Sequence, residues 1–98
     1  MKLEQLKLAI ESQHGGTATF ANEVHVREVW QGKAVWDGIV CVFDLVGHPN
    51  AKRAYAWSSP IEGSTKRRFF AVLHVPPVDS PQKAVQASIV HGYRTKQS

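Results

Sequence analysis

Five histidines (14, 25, 48, 74 and 91), eight carboxylates and one cysteine are the side chains best suited to bind a metal, move a proton or act as a nucleophile. The histidines show neither an i, i+4 helical pair nor close spacing to Cys41, so the pattern that builds a zinc site is absent. His25 and His74 would meet only if the register of two neighbouring strands brought them together. Asp37 and Asp44 fall an odd number of residues apart on one extended run, which puts them on opposite faces and rules out a carboxylate pair there. Asp44 and His48, at the end of that run, have the residue types of an acid–base dyad, although such pairs also simply close turns. Cys41 has no basic neighbour in sequence to lower its pKa, so a thiolate nucleophile is not expected. No nucleophile elbow, phosphate-binding glycine loop or dinucleotide fingerprint is present, and no cofactor is implied.

Binding chemistry is better represented. Arg53, Tyr55 and Trp57 alternate along one strand and so share one face. An open face of that kind stacks unpaired bases or a planar ligand while the guanidinium holds a phosphate. Lys66, Arg67 and Arg68 enter the following strand and have the charge for phosphate contacts. The same residues also fit a plainer arrangement, with the aromatics under a helix and the basic groups solvated. Residues 1–44 carry four Lys/Arg against six Asp/Glu, whereas residues 45–98 carry eight against two. The net charge of +4 is therefore concentrated in the second half, which favours an anionic partner such as nucleic acid or a phosphate ligand.

The elements that position these groups follow from periodicity. Leu3, Leu6 and Ile10 form a helical stripe over Leu3–Ser12, ended by Gly15-Gly16, with Leu8 outside it. Thr17–Phe20 reads as a short edge strand and Val24–Trp30 as a clearer one. In the latter Val24, Val26 and Trp30 oppose His25 and Arg27, and Glu28 on the apolar side suggests a bulge. Gln31-Gly32-Lys33 is a hairpin connection. Ala34–Val46 is apolar on both faces: Val35, Ile39, Cys41, Phe43 and Leu45 on one, Trp36, Val40 and Val42 on the other. Such a strand sits centrally with both sides covered.

Gly47–Asn50 turns the chain into a strand over Lys52–Ser58, a polar loop spans 59–65, and Lys66–Val75 is a further strand stopped by Pro76-Pro77. Ser80 as N-cap and Pro81 at the first helical position open a last helix that Gly92 should end, leaving 93–98 as a tail. The expectation is a single α+β domain over 1–98: helix, a three- or four-stranded antiparallel meander, helix. With both helices on one side of the sheet, the other face would need a ligand or a second copy, so a homodimer is expected.

At 43% hydrophobic and 20% charged the composition is that of an ordinary globular domain. The amino terminus lacks the apolar core of a signal peptide, and no run of eighteen apolar residues occurs, so a soluble protein without a membrane span is expected. The one cysteine excludes an intramolecular disulfide and suits a cytoplasmic setting.

The element order matches that of the double-stranded RNA-binding domain. However, Ser80–Ala84 offers a single lysine where that family needs a basic cluster, and His48 does not replace the family's loop histidine. Trp36-Asp37-Gly38, Gly47-His48-Pro49, Tyr55-Ala56-Trp57-Ser58 and Val75–Pro81 together resemble small uncharacterised bacterial proteins of the accessory genome, of the type carried on mobile integron gene cassettes. That resemblance covers residues 30–90 and implies no substrate, cofactor or catalytic residue. The leading expectation is a non-enzymatic, homodimeric binding domain using Arg53, Tyr55 and Trp57. The alternatives are sequence-tolerant nucleic-acid binding through Lys66, Arg67 and Arg68, or a small hydrolase or isomerase centred on Asp44 and His48.

Overall fold

Val40 and Val42 point to one side of their strand and Cys41 and Phe43 to the other, so water has to be excluded from both faces. The computed structural model meets this requirement with one helix on each side. It describes the backbone of residues 2–60 and 63–97, with side-chain surroundings for all of these except residues 2, 30, 35, 60 and 90–97. The chain runs α1 (Lys2–His14), β1 (Thr17–Trp30), β2 (Lys33–Val46), β3 (Arg53–Pro60), β4 (Arg67–Leu73) and α2 (Pro81–Gln97). The strands form one antiparallel sheet in chain order, with β1 and β4 at its edges. The α+β class and the helix–sheet–helix order agree with the sequence analysis.

The two helices lie on opposite faces, which corrects the expectation that both share one side. Leu6 and Ile10 of α1 pack on Cys41, Phe43, Leu45, Ala54 and Ala56. Ala84 and Val85 of α2 pack on Val40, Val42, Tyr55 and Trp57. Side-chain volume explains the division. On β3 the face toward α1 carries only alanines at 54 and 56, so that helix sits close. The opposite face carries Tyr55 and Trp57, and α2 meets them with small residues. With both faces covered, the argument for a homodimer loses its premise. Leu8 stays outside the packing of α1 and is exposed.

Polar contacts fix each helix to the sheet. The Glu11 carboxylate accepts the Ala18 N–H at 2.8 Å and Lys7 Nζ at 2.9 Å, and these bonds hold its carboxyl below the ordinary carboxylate range. His14 Nε2 donates to the Ala71 carbonyl at 2.8 Å, joining α1 to the β4 edge. At the start of α2, Ser80 Oγ accepts the Lys83 N–H at 3.2 Å, the N-cap read from the sequence. Gln82 Nε2 then donates to the Arg27 carbonyl at 3.1 Å on β1.

Several boundaries differ from those read in sequence. Thr17–Phe20 and Val24–Trp30 are one strand, and a register shift between Phe20 and Asn22 reverses its phase. Before the shift Ala18 and Phe20 face α1, opposite Leu45 and Phe43; after it Glu23, His25 and Arg27 do, opposite Cys41, Ile39 and Asp37. A second shift follows Glu28, where the bulge was expected. The hairpin turn is Gln31-Gly32, both left-handed, as a two-residue turn of type I′ demands. α2 passes through Gly92 to Gln97 instead of stopping, because a helical backbone accepts glycine at a cost of about 1 kcal/mol. The facings expected for Trp30 and Val35, the loop residues Ile61 and Glu62, and Ser98 lie outside the described residues.

Gly16 joins α1 to β1 with φ +77°, and a Cβ there would stand 2.9 Å from the Val46 carbonyl oxygen. Gly16→Ala should therefore destabilise the fold by about 1–3 kcal/mol. At roughly 4–8 °C per kcal/mol for a domain of this size, calorimetry should show Tm falling by about 4–24 °C.

Candidate functional site

The ladder between β2 and β3 is short. It consists of Cys41↔Ala56, Val42↔Tyr55, Phe43↔Ala54 and Asp44↔Arg53. Beyond Cys41 and Ala56 the strands part: β2 stays paired to β1 as far as Lys33, and β3 stays paired to β4 as far as Pro60. Trp36 and Trp57 occupy the fork. Their rings meet edge to face with centroids 6.0 Å apart. Trp57 is buried and stacks on Phe70 at 5.3 Å. Trp36 lies over Gly38, where a Cβ would come within 2.9 Å of the indole. Only glycine lets the ring lie so close to the backbone.

The fork opens a cavity of about 450 Å³. Trp36 and Trp57 line its base, Leu3 and Leu6 of α1 bound it, and Cys41 lies among its walls. Its β1–β2 side carries Glu23 and Asp37; its β3–β4 side carries Ser58, Ser59 and Arg67. Arg67 is held in place, with Nε donating to Ser58 Oγ at 2.9 Å and Nη2 to the Ser58 carbonyl at 3.2 Å. Asp37 is hydrogen-bonded through Oδ1 to Nε2 of His25. Glu23 has no ion-pair partner among the described residues. Burial pushes the Cys41 thiol above its ordinary pKa, and the Glu23 carboxylate adds to the effect. The cysteine is thus a packed wall residue whose thiolate is disfavoured.

Of the candidate site residues named from sequence, Trp57 and Arg67 line this cleft and the others fall elsewhere. Arg53, Tyr55 and Trp57 share a face, but it is not open: Tyr55 is 1% and Trp57 2% exposed beneath α2. Burying two large aromatics is worth several kcal/mol, which outweighs leaving them free for a ligand. The Tyr55 hydroxyl is satisfied internally by Nδ1 of His74, and burial raises its pKa, with Arg53 opposing the shift. Arg53 alone of the three is exposed. Trp57 reaches a site only through the fork.

Asp44 is exposed, and His48 is committed to its own turn: Nδ1 accepts the Asn50 N–H at 3.0 Å and the Ala51 N–H at 3.1 Å. Its ring nitrogen caps the backbone instead of meeting Asp44. An aspartate–histidine pair does occur, but as Asp37 with His25. Lys66, Arg67 and Arg68 are all exposed at the start of β4, at the opposite end of the sheet from Lys52 and Arg53. The basic half-chain is therefore not one patch. His25 and His74 lie at opposite edges, on β1 and just past β4, so they are not neighbours. No metal-ligand cluster is found among the described residues.

Sequence reasoning missed Glu23, His25, Asp37 and Trp36 as a group. The usable signal was the Gln31-Gly32 turn, which folds β1 onto β2 and brings His25 and Asp37 to one face. One register shift, between Glu28 and Val29, stood between that signal and the pairing, and its extra residue falls on β2.

The chain matches no family model, no curated protein and no solved structure. The resemblance to cassette-borne proteins rests on the sequence segments alone. No helix among the described residues is long and apolar enough to cross a membrane.

Iodoacetamide should alkylate Cys41 in the folded protein at least tenfold more slowly than a free thiol at pH 8. Glu23→Gln should raise that rate about threefold by removing the nearby charge, while burial keeps it below the free value.

Proposed function

We propose that the protein is a small binding domain whose ligand site is the cleft between β2 and β3. The observation that carries this reading is the ladder that stops after four residue pairs and leaves a charged-rimmed cavity of about 450 Å³ over two indoles. That volume falls within the range of about 300–1,000 Å³ usual for small-molecule sites. A stable sheet gains by closing such a gap, since each unmade backbone bond and each uncovered apolar surface carries a cost. The half-buried Trp36 gives a planar ligand an apolar surface, backed by the buried Trp57, and the rim supplies a few polar groups, the combination that orients small ligands. The leading class read from sequence, a binding domain, is retained; its site moves from the Arg53–Tyr55–Trp57 face to the fork that shares only Trp57.

The test is thermal unfolding with aniline, phenethylamine, 3-phenylpropionate and L-phenylalanine, on the protein and on Ile39→Trp. Ile39 lines the cleft and is 47% exposed, so an indole there fills the cavity without entering the core. A compound at ten times its Kd stabilises by about 1.4 kcal/mol, a Tm rise of roughly 5–10 °C. At least one compound should produce that rise, and Ile39→Trp should abolish it. No rise with any of them, or a rise that Ile39→Trp leaves unchanged, would contradict the site.

A further inference from the structure

We infer that the cleft takes a zwitterion of amino-acid type, its ammonium held by Asp37 on the acidic side and its carboxylate by Arg67. This inference rests on the cleft being a ligand site and specifies what enters it. The two sides of the cavity have opposite charge. Glu23 and Asp37 stand on the β1–β2 side, and Arg67 on the β3–β4 side.

Each of these groups has bonding capacity left over. Arg67 spends two of the five N–H donors of a guanidinium on Ser58, which fixes the plane of the fork and leaves three donors free. A fork held in that way is suited to bidentate capture of a carboxylate. On the other side, Asp37 uses Oδ1 for His25 and keeps Oδ2, and Arg27 stands opposite it in register. Glu23 has both oxygens without an ion-pair partner among the described residues. Glu23 stands opposite Cys41, and Asp37 lies four residues further toward the open end of the fork, so a single ammonium donates to Asp37 while Glu23 adds negative potential to that side.

The arrangement also discriminates. A simple amine would satisfy the acidic side and leave Arg67 facing a cation; a simple acid would satisfy Arg67 and face two carboxylates. Like-charge contacts of that kind are what exclude wrong partners. A zwitterion answers both sides at once. The indoles of Trp36 and Trp57 at the base, with Ile39 beside them, then favour a planar apolar side chain on that zwitterion.

Isothermal titration calorimetry with L-phenylalanine, phenethylamine and 3-phenylpropionate separates the contributions, because the last two each lack one charge. L-Phenylalanine should bind at least tenfold more tightly than either. Arg67→Met should reduce its affinity to about that of the amine, and the double variant Glu23→Gln with Asp37→Asn to about that of the acid. All three positions are exposed, so these variants should fold, and an unchanged circular dichroism spectrum checks it.

The dipeptide Phe-Gly carries the same two charges further apart. If it binds more tightly than phenylalanine, the ligand is a short peptide; if less tightly, a free amino acid; either result supports the zwitterion. Equal binding of phenylalanine and one of its singly charged analogues would overturn the inference, as would an Arg67→Met variant with unaltered affinity. If aniline alone stabilises the protein and Ile39→Trp removes the effect, the cleft stands as a site and the zwitterion falls. If nothing binds, both fall.

Discussion

β2 is apolar on both sides over Val40–Phe43, and the rest of the molecule is arranged to keep water from both. One helix cannot do that. The chain places α1 against Cys41, Phe43 and Leu45 and α2 against Val40 and Val42, with the sheet between them. β3 completes the division, small toward α1 and large toward α2. The two cores thus share a sheet but almost no side chains, and each helix is tied down by its own polar contacts, His14 and Glu11 for α1, Gln82 for α2.

The same two-sided demand explains where the sheet is whole and where it is not. β2 and β3 are laddered over the stretch on which helices press from both sides. Past Cys41 the residues of β2 become Gly38, Asp37 and Trp36, and those of β3 become Trp57, Ser58 and Ser59. The apolar drive to close the gap on the α1 side weakens there, because Asp37 follows the buried Cys41 and the exposed Ile39 on β2, and Ser58 follows Ala54 and Ala56 on β3. On the α2 side, two indoles meet edge to face and take the space a continued ladder would need. Charge gathers where burial ends, and for that reason the cavity has an apolar base and an ionic rim.

Much of the scaffold was legible in the sequence because it rests on local rules. The alternation of β2, the stripe of Leu3, Leu6 and Ile10, and the Ser80-Pro81 start of α2 each depend on residues close in the chain. What sequence could not supply was the side of the sheet on which each helix falls, a tertiary choice. The small residues Ala84 and Val85 of α2 were the hint, since they pack with Tyr55 and Trp57 in one core. The cleft was illegible for a related reason. It arises from a ladder that stops at Cys41 and Ala56, where neither strand carries a proline or charge run to announce it; the proline of β3, Pro60, lies four residues further on. Asp37 paired with His25 was hidden by the register shift at Glu28–Val29, whereas Asp44 and His48, near in sequence, suggested a dyad, and Nδ1 of His48 is instead spent on the turn amides of Asn50 and Ala51.

The central claim, that the fork between β2 and β3 is a ligand site, is tested most directly by nuclear magnetic resonance. The indole N–H signals of Trp36 and Trp57 and the Nε–H signal of Arg67 would be followed while L-phenylalanine and aniline are titrated in turn. The account predicts saturable shifts in these three signals and in the amides of Asp37–Ile39 and Ser58–Ser59, with the Lys52–Arg53 end of the sheet unmoved. Shifts that cluster at that far end, or none at millimolar ligand, would contradict it.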